Sequence, residues 1–129
     1  MSRRAACPCG NPLQLAQCCG RYLGDFAGTP APDAESLMRS RYTAFVLIDT
    51  GYLLATWHPQ TRPAELELDA GAKWLGLDVR DRKAIDDTHA EVEFVARYRE
   101  PGGKAVRLHE RSRFVQQDGR WFYLDAAPT

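Results

Sequence analysis

His89-Ala-Glu-Val-Glu-Phe-Val-Ala-Arg-Tyr-Arg-Glu-Pro-Gly-Gly-Lys-Ala-Val-Arg-Leu-His-Glu-Arg-Ser-Arg-Phe114 decides the fold. Apolar residues recur at every second position through Ala90, Val92, Phe94, Ala96 and Tyr98, and Pro101-Gly-Gly103 follows them. A period of two, a turn and a second run of alternating character read as an antiparallel hairpin. If Glu100 faces Lys104, then Glu93 lies opposite Arg111 and Glu91 opposite Arg113. Opposite charges across a strand pair support that register, at about 0.2 to 1 kcal/mol each. The same register sets Phe94 opposite Glu110, Val92 opposite Ser112 and Ala90 opposite Phe114. These share a face with Tyr98, Val106 and Leu108, so that face is the buried one.

Working outward, Leu75, Leu77 and Val79 alternate with polar residues and read as a preceding strand. On the other side, Asp118-Gly119 is a two-residue hairpin turn before a last strand, Trp121 to Asp125. That turn puts Phe114 opposite Tyr123 and Ser112 opposite Asp125. Glu110, Ser112 and Asp125 are therefore expected to point into the concave side of the sheet. Ahead of the strands the period is helical. Asp33 or Ser36 caps a helix running to about Ile48, with Leu37, Met38, Tyr42, Ala44, Phe45 and Ile48 in one arc of roughly 160°. A second helix runs from about Thr50 to Trp57 and stops at Pro59, because the residue before proline resists helical geometry. Residues 63–73 are expected to hold another short helical piece. Helices first and a meander of strands after them define an α+β fold, with helices packed on a curved antiparallel sheet.

Arg41 sits near the middle of the apolar arc of the first long helix, between Leu37 and Phe45. Burying such a charge unpaired costs several kcal/mol on the scale of about 3 to 5 for a broken buried pair, so it must pair or face a wet cavity. Its expected partner is Glu110 or Asp125. One reading is a structural ion pair fixing how the helix sits on the sheet. The other is a pocket whose acid and base come from Arg41, His58, Glu110 and Asp125. His58 follows Trp57 at a helix end, where an imidazolium also suits the C-terminal dipole. Trp57, Tyr42, Trp121 and Tyr123 read as core aromatics. No Ser-His-Asp order, phosphate-binding glycine loop or dinucleotide fingerprint occurs.

The chain has 129 residues, and its four cysteines all precede residue 20. Cys7-Pro-Cys9-Gly-Asn-Pro leads through Leu13 to Gln17 and closes with Cys18-Cys19-Gly20. Four thiolates suit a closed tetrahedral zinc site and leave no open position for water or substrate. Pro8, Gly10 and Pro12 suit a tight turn, with Pro12 opening a short helix that presents Cys18 and Cys19 near its end. Arg3, Arg4 and Arg21 are candidate compensators of the negative charge. A segment this short buries no core of its own, so metal would supply its folding energy. Two disulfides, or free thiols in a tail, are the competing readings. Vicinal Cys18-Cys19 and a reducing compartment both disfavour the disulfides.

Seventeen basic residues balance 17 acidic ones, which disfavours a whole-molecule nucleic-acid binder. With 44% apolar residues the composition is that of a globular domain. No apolar run approaches the roughly 18 to 20 residues of a membrane span. Met-Ser-Arg-Arg has no apolar h-region behind it, so a cytoplasmic location is expected.

The spacing Cys7-x-Cys9-x8-Cys18-Cys19 resembles the SEC-C motif, a small zinc knuckle also found at the C-terminus of the SecA translocation motor. Leu37-Met-Arg-Ser-Arg-Tyr42, Thr56-Trp-His-Pro59 and His109-Glu-Arg-Ser-Arg-Phe114 resemble the YchJ-like family of bacterial proteins. The resemblance implies a structural Zn2+ on Cys7, Cys9, Cys18 and Cys19 and a nuclear-transport-factor-two-like, cystatin-like cone behind it. It implies no activity. The organisation read here is a knuckle over residues 1–27, a Pro-rich linker over 28–33 and the cone over 34–129. Two function classes follow. In the favoured one the knuckle is an adaptor that presents Arg3, Arg4, Arg21 and an exposed Tyr22 and Leu23 to a protein or ribosomal partner. In the other the cone binds or transforms a small molecule. A filled cone with its carboxylates neutralised by Arg41 speaks for the adaptor, and an open cavity for the ligand.

Overall fold

A computed structural model describes residues 6–68 and 70–127. Four strands, β1 (Lys73–Ala84), β2 (His89–Arg99), β3 (Ala105–Gln117) and β4 (Arg120–Ala126), form one antiparallel meander in the order β1-β2-β3-β4. The β2–β3 register is the one the charge pairs demand: Glu93 faces Arg111, Glu91 faces Arg113 and Phe94 faces Glu110. Asp118 and Gly119, both at positive φ, make the two-residue turn into β4. A turn of that hand matches the twist of the flanking strands.

Three helices precede the sheet, α1 (Gly20–Leu23), α2 (Ala34–Leu47) and α3 (Thr50–Ala55). Asp33 caps α2 by accepting from Ser36 N at 2.7 Å. At the other end Ile48 adopts the left-handed conformation and Asp49 caps α3 through Tyr52 N. Ile48 is therefore 44% exposed and leaves the apolar arc in which periodicity places it. The helix turns before that residue can point inward. α3 ends at Ala55 rather than Trp57, because residues 56–58 leave the helix to pair with β4. His58 N donates to Tyr123 O, and Tyr123 N to Thr56 O, both at 2.8 Å. The described residues of 63–73 hold no helix before β1 begins.

α2 lies on the concave face. Leu37, Met38 and Tyr42 pack there with Val92, Phe94 and Phe114. Tyr22 joins this core at 6% exposure, which corrects its expected place on the surface. Arg120 reaches back from β4 to the carbonyls of Phe26 and Ala27, tying the segment before α2 to the sheet.

β1 carries two extra residues, one between Trp74 and Gly76 and one between Val79 and Asp81, and β4 carries one. In β1 the pairing steps from Trp74 to Gly76, so Leu75 is bulged out and 41% exposed, while Trp74 and Leu77 take the inward places. In β4 it steps from Tyr123 to Asp125 opposite Phe114 and Arg113. Because side chains alternate, one extra residue sends everything beyond it to the opposite face. Among the described residues no helix is long and apolar enough to cross a membrane.

Candidate metal centre and cone cavity

The cysteines are brought together by short local devices. Cys7 N donates to Leu13 O at 2.7 Å and Gly10 N to Cys7 O, closing the loop that carries the first pair. Where sequence suggests a helix from Pro12, there is only a three-residue 3-10 turn, Leu15–Gln17. Cys18 ends that turn and Cys19 starts α1. Gly20 is required here, since a Cβ would lie 2.6 Å from Leu15 O. All four cysteines are free and buried, and their sulfurs lie within 4.8 Å of one another. The sulfurs of Cys9 and Cys18 are 3.6 Å apart. A tetrahedron with Zn–S near 2.3 Å has S···S edges of about 3.8 Å, so the spacing suits one metal ion. Hydrogen bonding from Cys19 holds the Cys9 thiol down at about 5, and pushes that of Cys19 up. The cluster thus favours a thiolate even before a cation is added.

The neighbours of the cluster were not legible in the sequence. Arg39 Nη1 donates to Cys9 O at 2.7 Å, and Thr43, a turn further along α2, sits 3.6 Å from Cys7 Sγ. Asn11 Nδ2 donates to Cys18 Sγ. Arg21 donates to Cys18 O rather than to sulfur. Arg3 and Arg4 lie outside the described residues. Arg39 and Thr43 lie on the side of α2 turned from the cone, where a polar pair ordinarily signals solvent. Arg39 also pairs with Glu35 on its own helix, and the docked knuckle adds Cys9 O as a partner of Arg39 and Cys7 Sγ as a neighbour of Thr43.

The concave face encloses a cavity of about 400 Å3. Aromatic side chains dominate its wall, among them Phe45, Trp57, Trp74, Tyr98, Phe114 and Tyr123. Arg41 and Glu110 both line it, as sequence suggests, but they do not pair. Arg41 Nη1 donates to Leu53 O at 2.8 Å and to Thr56 Oγ1 at 2.7 Å. Its guanidinium lies over the rings of Tyr123 and Trp57, at 4.6 and 5.2 Å. Burial pulls Arg41 down to about 10. Glu110 instead accepts from Ser112 Oγ at 2.6 Å and from Tyr123 OH at 3.3 Å, both on Oε2. Tyr123 is pushed up by its burial, with the adjacent Glu110 adding to the effect.

Asp125 is a correction. The bulge at Leu124 turns it to the outer face, opposite Arg113 rather than Ser112, where the two form a bidentate pair at 2.5 and 2.6 Å. His58 also stays out of the cavity. Its Nδ1 accepts from Gln60 N at 3.1 Å, so Nε2 carries the proton and donates to Gln117 Oε1 at 2.8 Å. Its ring stands edge-on to Phe122, not over the cavity. Of the four pocket candidates, the structure brings together Arg41 and Glu110 and separates His58 and Asp125.

A four-cysteine cluster clamped to a helix-covered, curved sheet with an open cone defines a SEC-C-type, NTF2-like protein. Residues 33–126 match the family model for the YchJ middle NTF2-like domain. A UPF0225 protein of Polaromonas sp. is 65% identical over 127 residues, covering 94% of this chain and 91% of its own. A UPF0225 protein of Bordetella parapertussis is 58% identical, with 96% and 93% covered. The solution structure of a SEC-C motif containing protein from Rhodopseudomonas palustris superposes with a TM-score of 0.81 at 32% identity, over 95% of this chain and 98% of that one. A crystal structure of a SEC-C motif containing protein from Psychrobacter arcticus gives 0.77 at 30% identity, over 95% and 83%. The chain belongs to the YchJ/UPF0225 family.

The three stretches that carry the family resemblance meet in space. Arg41 of the first bonds Thr56 of the second and stacks on Trp57, while Glu110, Ser112 and Phe114 of the third line the same cavity. Within the first stretch, Arg39 turns to the cysteine loop and Ser40 bonds Tyr52 OH at 2.7 Å. One helical turn thus serves the knuckle, the helix pair and the cavity.

Proposed function

We propose that the protein binds a small molecule in its cone, and that the four cysteines hold a structural Zn2+ that clamps the knuckle against α2. The open, aromatic-lined cavity of about 400 Å3 carries this reading, because small-molecule sites are concave, mostly apolar and furnished with a few polar groups. Cys7, Cys9, Cys18 and Cys19 would hold the ion, which supplies cohesion to a segment with little apolar core of its own. No catalytic step is assigned to the cavity. Of the patch expected for an adaptor, Tyr22 is part of the core, Leu23 is half-buried and Arg21 stays exposed. Metal analysis of purified protein should give one zinc per chain, lost in Cys19→Ser. Titration with soluble aromatic fragments, followed by amide and indole NMR signals, should perturb Tyr42, Trp57 and Tyr123. Perturbations confined to the knuckle, or none, overturn the ligand reading.

A further inference from the structure

The base of the cavity is polar, and its donors and acceptors do not balance. Arg41 makes both of its hydrogen bonds through Nη1, so Nε and Nη2 have no hydrogen-bond acceptor among the described residues. Glu110 receives both of its hydrogen bonds on Oε2, which leaves Oε1 as the spare acceptor. The cavity therefore favours an occupant that completes these groups. The charges restrict it further. Arg41 and Glu110 both line the cavity without forming an ion pair, so their charges offset. Among the described residues lining the cavity, Glu67 and Glu100 are exposed carboxylates and Arg41 is the only basic residue.

Resting on the ligand-binding reading, we infer that the cavity takes a neutral, planar aromatic molecule whose polar edge carries an acceptor beside a donor, as in an aryl amide. The ring system packs among Phe45, Trp74 and Tyr98. The acceptor takes the free Arg41 N–H groups, and the donor faces Glu110. An arylcarboxylate satisfies the donors but meets Glu110 and the two exposed carboxylates. An arylmethylammonium satisfies Glu110 but confronts Arg41.

Three probes of one shape separate these cases: 2-naphthamide, 2-naphthoate and 2-naphthylmethylammonium, each titrated into the full-length zinc-loaded protein. The Arg41 guanidinium N–H signals should move downfield with 2-naphthamide, which should bind about tenfold more tightly than either charged probe. Glu110→Gln should lift the binding of 2-naphthoate. A charged probe that equals the amide, or unmoved Arg41 N–H signals with the cavity occupied, overturns the inference while the ligand reading stands. No response of any cavity resonance to all three probes overturns both.

Discussion

The knuckle and the cone occupy opposite sides of α2, and different forces hold them. The cone buries apolar surface: Leu37, Leu53, Val92 and Phe114 are almost inaccessible, and each contributes on the order of 1.5 to 3 kcal/mol by leaving water. The knuckle buries chiefly sulfur, with Leu15, Leu23 and Leu77 packed around it. Its contacts with α2 are polar, through Arg39 and Thr43. The difference teaches how a 14-residue helix can serve two sites. Residues two apart on a helix face nearly opposite ways, so Arg39 and Arg41 carry similar groups to unrelated tasks.

Disrupting the cysteine cluster tests the contrast most severely. Cys9→Ser or Cys19→Ser should unravel the loop around residues 7–22 and cost on the order of 5 kcal/mol, because little else binds that segment. Hydrogen exchange should show lost protection there and at Arg39 and Thr43, with β2 and β3 still protected. Equal loss throughout the sheet would make knuckle and cone one cooperative unit. Next in size, Arg41→Ala removes a guanidinium held between two rings and strips Leu53 O of a charged donor, for about 3 kcal/mol in urea titrations. A change within about 0.5 kcal/mol would place Arg41 in solvent.

The smallest effect concerns the outer link between α2 and β1. Arg82 and then Arg39 hold Glu35 below its ordinary carboxylate value. The folded chain therefore binds that proton more weakly than the unfolded one. The stabilisation is present above about pH 4.5 and is lost as pH falls through the lower folded value. Glu35→Gln should cost about 0.2 to 1 kcal/mol near pH 7 and nothing near pH 2, as a partly exposed pair allows. A penalty that persists at pH 2 would mean packing, not charge, explains it.

The β2–β3 hairpin was readable because its register is written twice, in the alternation of apolar residues and in the cross-strand charges of Glu91, Glu93, Arg111 and Arg113. The cap at Asp33 and the Asp118-Gly119 turn were readable because each is decided by a few adjacent residues. The inward place of Glu110 and Ser112 follows from the same register. Asp125 was misplaced because a bulge is a property of two strands together. Nothing in Tyr123-Leu124-Asp125 announces that Leu124 will be skipped. Leu75 fails in the same way in β1.

By itself, then, the sequence determined the α+β plan, the β2–β3 register, the cysteine cluster as a candidate metal site and the burial of Arg41, because periodicity, turns and spacing are local. Tertiary structure alone decided that Arg41 meets a backbone carbonyl, a threonine and two rings instead of a carboxylate. It also decided that Asp125 and His58 look outward, that Arg39 and Thr43 support the cysteines, and that the cone stays open. Those outcomes depend on one-residue bulges and on which face of α2 each element docks, and neither is a property of any single stretch of chain.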